Sequence, residues 1–341
     1  MNLRTTFTID PSKSKIGYNT PVMFIGSCFT SEIGTKMAEG KMEVLLNPSG
    51  VVYNPVSVVN TIDIILENRI FTKNDLSIYK GVNLSFSHYS DFTSEDPSIA
   101  LDKINSSTGK ANNFLKHARF LFITFGTARV YRFKESGLIV SNCHKLPASL
   151  FSREILTVEE IILAWHDILN KLHSFNSDLR VIFTISPVRH WKDGAHGNQV
   201  SKSILFLAVE KLLKHQIVEG YFPGYELVMD DLRDYRYYAE DMLHPSKTAI
   251  EYIWKAFAEC YFEAETLNFW KEVMGITKAR NHHILTDSSA GINDFADTML
   301  KQIDAIERKI STLDFSEERS YFLKLKTRGQ QSSATSTDNL L

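Results

Sequence analysis

The sequence predicts an α/β protein, a three-layer α/β/α sandwich on a five-stranded parallel sheet. Three observations carry this. Five short apolar runs recur at 22–25, 44–46, 120–125, 180–185 and 225–229. Each run is mostly apolar, the pattern of a strand covered by helices on both faces. Each also ends abruptly at small or polar residues, and helical segments separate the runs.

In chain order, the first run stops at Gly26-Ser27 and precedes a helix over 30–39. The second stops at Asn47-Pro48. The helix expected over 55–68 puts Val58, Val59, Ile62, Ile65 and Leu66 on one face. Residues 69–118 are polar and mixed and read as an insertion of irregular structure. The third run ends at Gly126-Thr127, and 129–150 reads as an inserted hairpin. Thr157 and Glu160 form a capping box that opens a helix over 157–175. The fourth run ends at Ser186-Pro187, and a helix follows over 201–218. The fifth, 225–229, ends at Asp230-Asp231 before a last core helix over 246–262. These elements make residues 1–265 one α/β domain, with insertions at about 69–118 and 129–150. Residues 266–325 read as a helical extension, with an amphipathic helix over 290–312. Residues 326–341, rich in Ser, Thr and Gln, read as a disordered tail. Open α/β sheets place their sites beyond the carboxyl ends of the strands, so the run ends are where chemistry is expected.

Composition narrows the partners. With 38 basic and 40 acidic residues the formal charge is −2, which gives no global attraction to nucleic acid or anionic lipid. No stretch of about 18 apolar residues occurs, so no membrane span is expected. The first seven residues lack an apolar core, so no secretory signal is expected. Three scattered cysteines, Cys28, Cys143 and Cys260, suggest a reducing compartment. The expected location is the cytoplasm of a bacterium.

Two motifs carry chemistry. At Gly26-Ser27-Cys28-Phe29 a strand runs into a serine just before a helix. A helix N-terminus offers free N–H groups and positive potential, which suit an oxyanion. The same serine also fits a plain helix cap. Cys28 is a rival nucleophile, read as packing because it points into the helix start. At Asp241-Met242-Leu243-His244-Pro245, Asp and His three residues apart can meet on one turn. Histidine can take a serine proton near neutral pH, and a carboxylate fixes its tautomer.

A strand-end Gly-Ser near the start, with Asp-x-x-His-Pro before the last core helix, resembles the SGNH/GDSL hydrolase arrangement. The stretch 24–29, Phe-Ile-Gly-Ser-Cys-Phe, more closely resembles the GSCFA family, with Thr30 in place of the family's alanine. Further stretches resemble that family at 47–55, 125–128, 142–145, 186–190 and 234–238, so the likeness covers about residues 20–262. It implies a flavodoxin-like SGNH hydrolase fold and a Ser27–His244–Asp241 triad. It also implies an oxyanion hole with the Ser27 N–H as one donor and the Gly50 N–H as the second. The superfamily's asparagine after the third strand is missing, since this chain reads Gly126-Thr127-Ala128-Arg129 there. Thr127 or Asn142 is expected to take its place.

Five histidines, His88, His144, His190, His196 and His244, fall near the strand ends with Cys143. They invite a zinc site, but none has the tight spacing of H-E-x-x-H. His88, Cys143, His144, Arg189 and His190 are read instead as a substrate pocket, with no metal or other cofactor. Arg189 and Lys145 can meet an anionic part of a substrate. Tyr235, Tyr237 and Tyr238, with Arg233 and Arg236, can stack on sugars or pack beneath a loop. The expected activity is hydrolysis of a small-molecule or glycan ester, an O-acetyl carbohydrate being the superfamily's analogy, through an acyl-enzyme. The rivals are a glycan acyltransferase and a non-catalytic carbohydrate-binding protein on the same fold.

Overall fold

The computed structural model describes residues 4–281 and 289–337. It divides into two compact units. One comprises Met1–Ser14, Thr20–Thr35 and Val44–Tyr261; the other comprises Lys15–Asn19, Lys36–Glu43 and Phe262–Leu341.

The chain forms β1 (Val22–Gly26), α1 (Cys28–Glu39), β2 (Val44–Leu46), α2 (Pro55–Leu66), β3 (Ser77–Tyr79), β4 (Val82–Leu84) and α3 (Pro97–Leu115). There follow β5 (Phe120–Phe125), β6 (Arg129–Phe133), β7 (Ile139–Val140), β8 (Phe151–Ile155), α4 (Val158–Phe175) and β9 (Arg180–Ile185). Then come α5 (Gly194–Leu212), β10 (Val218–Phe222), a short α6 (Gly224–Glu226) and α7 (Lys247–Tyr261). The central sheet is parallel in the order β10-β9-β5-β1-β2. Counted by appearance this is 2-1-3-4-5, the flavodoxin-like winding, whose direction reverses between β1 and β5.

Both faces of the sheet are buried, which is why its strands read as mostly apolar runs. Met23, Ile25, Leu121, Ile123, Phe125, Val181 and Phe183 pack with residues of α2, α4 and α5. Trp165 of α4 stands edge-on to Phe125 and Phe183, and its indole N–H reaches the Pro55 carbonyl at 3.3 Å. On the opposite face Phe24, Phe122 and Phe222 pack against Phe257 of α7.

Three expectations are corrected. The fifth strand is β10, not 225–229. Pro223 ends β10, and the chain turns at once into α6 and a π turn over Leu227–Asp231. A five-residue apolar run cannot by periodicity be told from a buried helical turn, and Tyr225, Leu227 and Val228 are buried in that form. The helix before β10 accordingly lies earlier, at Gly194–Leu212 rather than 201–218. Third, 69–118 is not irregular. Lys80 and Gly81, both at positive φ, close a β3–β4 hairpin of the type such residues favour. Asp96 caps the 19-residue α3 by accepting from the Ser98 N–H at 2.7 Å, with Pro97 in the first turn. The Ser, Asn and Gly of its middle lower helix propensity and hid it.

Within 129–150, β6 and β7 pair antiparallel, and β8 joins the other edge of β6 to make a three-stranded sheet.

The second unit contains α8 (Ala264–Asn281), α9 (Ser289–Lys309) and α10 (Ser316–Thr337). Val273, Ile276, Ile303, Ile306, Phe315 and Phe322 are buried. Glu318, also buried, meets Lys41 at 3.1 Å. The backbone of the segment expected as a tail continues α10 to Thr337, and the rest of that tail, 338–341, lies outside the described residues.

Gly26 sets the site's position. Its φ is +151°, and a Cβ there would overlap the Thr124 carbonyl oxygen of β5. Only glycine lets β1 and β5 approach so closely where the chain turns. Gly26→Ala is therefore expected to destabilise the protein by about 1–3 kcal/mol, read as a lower urea midpoint.

Candidate active site

The carboxyl ends of β1, β5 and β9 are in register, with Gly26 opposite Thr124 and Phe125 opposite Ile185. The turns that leave these ends floor an open cleft of about 720 Å³. Among its lining residues are Ser27, Cys28, Tyr53, Asn54, Thr127, Asn142, Cys143, Arg189, His190 and His244.

Each residue of the Gly26–Thr30 turn has a physical role. The Gly26 N–H donates to Asn47 Oδ1 at 2.8 Å, and its carbonyl accepts from the Val52 N–H at 3.0 Å. Ser27 follows, and its carbonyl accepts from the Thr30 N–H at 2.9 Å. The Ser27 side chain is buried, and its hydroxyl has no hydrogen-bond partner. Cys28 also lines the cleft, and burial raises the pKa of its thiol. Phe29 is buried with its ring against Gly224, where a Cβ would come within 2.9 Å of it. The Thr30 hydroxyl donates to that of Thr124, tying α1 to β5.

Asp241 and His244 meet on one turn, which Met242 permits by taking a φ of +58°. Asp241 Oδ1 accepts from the N–H groups of Leu243 and His244, both at 2.9 Å, and Oδ2 pairs with His244 Nδ1 at 2.6 Å. These donors, the two backbone N–H groups first, hold the Asp241 carboxyl down at about 2. An ionised carboxylate at Nδ1 fixes the proton there and leaves the Nε2 lone pair free. His244 lines the cleft with Ser27, but no hydrogen bond joins the two among the described residues.

The expected oxyanion donors are placed differently. The Gly50 N–H donates to the Asn47 carbonyl at 2.7 Å, closing a turn, and Gly50 is absent from the cleft wall. Its glycine character serves packing, because a Cβ would overlap Tyr89. The N–H groups of Gly126 and Thr127 both donate to the Tyr53 carbonyl, at 2.7 and 3.0 Å. The Thr127 hydroxyl accepts from the Arg129 N–H and pairs with Ser201 Oγ, each at 3.0 Å. Thr127 is thus fully engaged in structure. Asn142 does face the cleft. Its Oδ1 accepts from the His144 N–H at 2.8 Å, and its Nδ2 makes only a long 3.4 Å bond to Ser90.

The expected pocket residues separate into two groups. Cys143, Arg189 and His190 line the cleft. His190 stands edge-on to Tyr53, and burial, with Lys202, Arg153 and His244 nearby, lowers its pKa to about 4. Burial raises the Cys143 thiol to about 11. His88 and His144 lie off the cleft wall. His88 packs between Phe71 and Phe92 with Nδ1 on Ser85 Oγ at 2.9 Å, and burial pushes it to about 4. His144 Nε2 donates to the Ser85 carbonyl at 2.9 Å. His196 is exposed on α5. No group of three or more His, Cys, Asp or Glu suited to a metal occurs among the described residues.

The family model described as the GSCFA family matches residues 21–257, more than half of the chain. This chain belongs to the GSCFA family. No curated protein matches it. Among solved structures, the GSCFA chain is similar to an acetyl xylan esterase, Est2A, from the rumen bacterium Butyrivibrio proteoclasticus, at 12% identity and a TM-score of 0.37. The match covers 71% of this chain and 63% of the esterase, so it spans less than two thirds of that protein. No described helix is long and apolar enough to cross a membrane.

Sequence reasoning missed Lys202. It is fully buried on α5, and its Nζ donates to the carbonyls of Gly126 at 2.7 Å and Ser186 at 2.6 Å. The signal was present, since Lys202 falls on the stripe of Leu205, Val209 and Leu212, where a cation has no place unless it is paired. Burial pushes its pKa down to about 7. The unfolded chain then binds more protons than the native one between about 7 and about 10.4, the ordinary lysine value. Stability contributed through Lys202 therefore rises as pH increases through that window. Lys202→Met is expected to flatten this rise, most clearly between pH 7 and 9, below the range where buried tyrosines titrate. The stability difference from wild type, measured in urea across that range, checks it.

Proposed function

We propose that this GSCFA protein is a serine esterase of the SGNH type that acts on an acylated small molecule or glycan, an O-acetyl carbohydrate by superfamily analogy. The observation that carries the proposal is the 2.6 Å pairing of Asp241 with His244 Nδ1, which leaves the Nε2 lone pair free on the cleft that Ser27 also lines. In the proposed reaction Nε2 removes the Ser27 proton and Oγ attacks the ester carbonyl. His244 gives that proton to the departing alcohol. Water then enters, passes a proton to Nε2 as its oxygen bonds the acyl carbon, and the acid leaves as the Oγ–acyl bond breaks and Oγ recovers the proton from His244. Asp241 stays ionised throughout, because its carboxyl is held so low.

With Gly50 and Thr127 engaged elsewhere, the oxyanion falls to the Ser27 N–H and a side-chain amide. Asn54 and Asn142 are the asparagines on the cleft. Asn54 caps α2 by accepting from the Ser57 N–H at 2.8 Å and gives one Nδ2 hydrogen to Ser57 Oγ at 2.9 Å, which leaves the second free. Asn54→Asp keeps a capping oxygen and removes the donor. On this reading kcat falls about 100- to 1,000-fold while the urea midpoint stays near that of wild type. The same loss from Asn142→Asp, with none from Asn54→Asp, moves the role to Asn142.

A second reading, a carbohydrate-binding protein without catalysis, is favoured by the missing Ser27–His244 hydrogen bond and the engaged donors. Fluorophosphonate labelling followed by peptide mapping separates the two. The esterase reading expects label on Ser27, loss of aryl-acetate hydrolysis in Ser27→Ala and its retention in Cys28→Ser. Equal hydrolysis by wild type and Ser27→Ala would sink it.

A further inference from the structure

We infer that the cleft holds a subsite for an anionic group of the substrate, formed by the guanidinium groups of Arg129 and Arg153, with Arg189 on the same cleft. The ester would then be carried on an acidic sugar or polyol. The inference rests on the esterase reading for the identity of the ester, but the anion subsite is tested separately.

The cleft's charge is the first support. Arg129, Lys145, Arg153, Arg189 and Lys192 line it, against the single carboxylate of Asp193. The whole chain, by contrast, carries a net charge of −2. Positive charge is therefore concentrated in the one concave surface that holds Ser27 and His244, where low-dielectric walls focus it.

The pairing pattern is the second. Asp193 Oδ1 meets Arg129 Nε at 3.3 Å and also Arg153 Nη2, and the Asp193 side chain is completely buried. Two guanidinium groups converge on one carboxylate, which leaves a positive charge in excess. Each guanidinium carries five N–H donors, so both keep donors beyond those Asp193 takes. Their side chains remain 26% and 33% exposed, so a ligand can reach them. Asp193 acts as a brace that sets the two forks side by side.

Arg189 adds a cation with no carboxylate partner among the described residues. Its one hydrogen bond is a 3.8 Å contact from Nη2 to Met229 Sδ. Guanidinium forks match planar or tetrahedral oxyanions through paired N–H bonds. A uronate carboxylate and a sugar sulfate share this chemistry.

The test compares acetylated oligosaccharides of equal length that differ in charge: a neutral xylo-oligosaccharide, an oligogalacturonate and a sulfated oligosaccharide. Wild type is expected to favour an acidic ester over the neutral one by about tenfold or more in kcat/KM. The preference should sit in KM and shrink at high ionic strength. Whichever acidic ester is better names the anion. Arg153→Gln and Arg189→Gln should bring the acidic-to-neutral ratio towards one, whereas Lys110→Gln on α3 should not change it. A ratio is read within one enzyme preparation, so partial unfolding does not alter it. Equal kcat/KM for neutral and acidic esters in wild type overturns the inference, as does an undiminished ratio in both arginine variants. If no ester is hydrolysed, the esterase reading has failed and calorimetry with the deacetylated oligosaccharides decides the subsite. Tighter binding of an acidic chain, lost in Arg153→Gln, supports it. Equal binding of neutral and acidic chains overturns it.

Discussion

One buried lysine amine holds the floor of the cleft together. Lys202 Nζ reaches the carbonyls of Gly126 and Ser186, the first residues beyond β5 and β9. Past their last ladder bonds these carbonyls would otherwise be buried acceptors without donors, which is costly. The neighbouring groups are satisfied in the same way. Ser201, adjacent on α5, takes the Ala128 N–H at 2.8 Å, and the Tyr53 carbonyl takes the N–H groups of Gly126 and Thr127. The turn after β5 is therefore supported by protein groups on every side.

Much of the fold was legible because burial writes itself into composition. Strands β1, β5 and β9, covered on both faces, read as apolar runs and lie where those runs are. The capping box at Thr157 and Glu160 forms both of its reciprocal bonds. Errors arose where tertiary context overrides local pattern. Tyr225–Met229 has strand-like residues but follows Pro223, and the sheet edge was already filled by β10. Helix α3 is carried by its cap and by widely spaced contacts at Ala100, Ile104, Ala111 and Leu115, which polar residues between them obscure.

The candidate site was legible in its local part. Asp241 and His244 lie three residues apart, so their pairing depends on one turn that sequence can suggest. Arg129, Arg153 and Asn54 come to the cleft wall from separate elements, and Lys202 reaches the strand-end carbonyls from α5. Nothing in their spacing foretells these places; they follow from the sheet order and the α5 stripe. Gly50 is the converse case. Its place after β2 was foreseen, yet its N–H is turned into the loop and its missing Cβ makes room for Tyr89.

The same concentration of cations bears on proton traffic. Burial first, and then Lys202, Arg153 and His244, oppose protonation of His190, which is held at about 4 and stays neutral at pH 7. His244 differs because Asp241 sits directly on Nδ1, so an imidazolium formed there has a carboxylate to stabilise it. The His244 side chain is half exposed, whereas the Ser27 hydroxyl is buried and unpaired. On the esterase reading, a substrate filling the cleft excludes water from His244 and strengthens its interaction with both Asp241 and the serine proton.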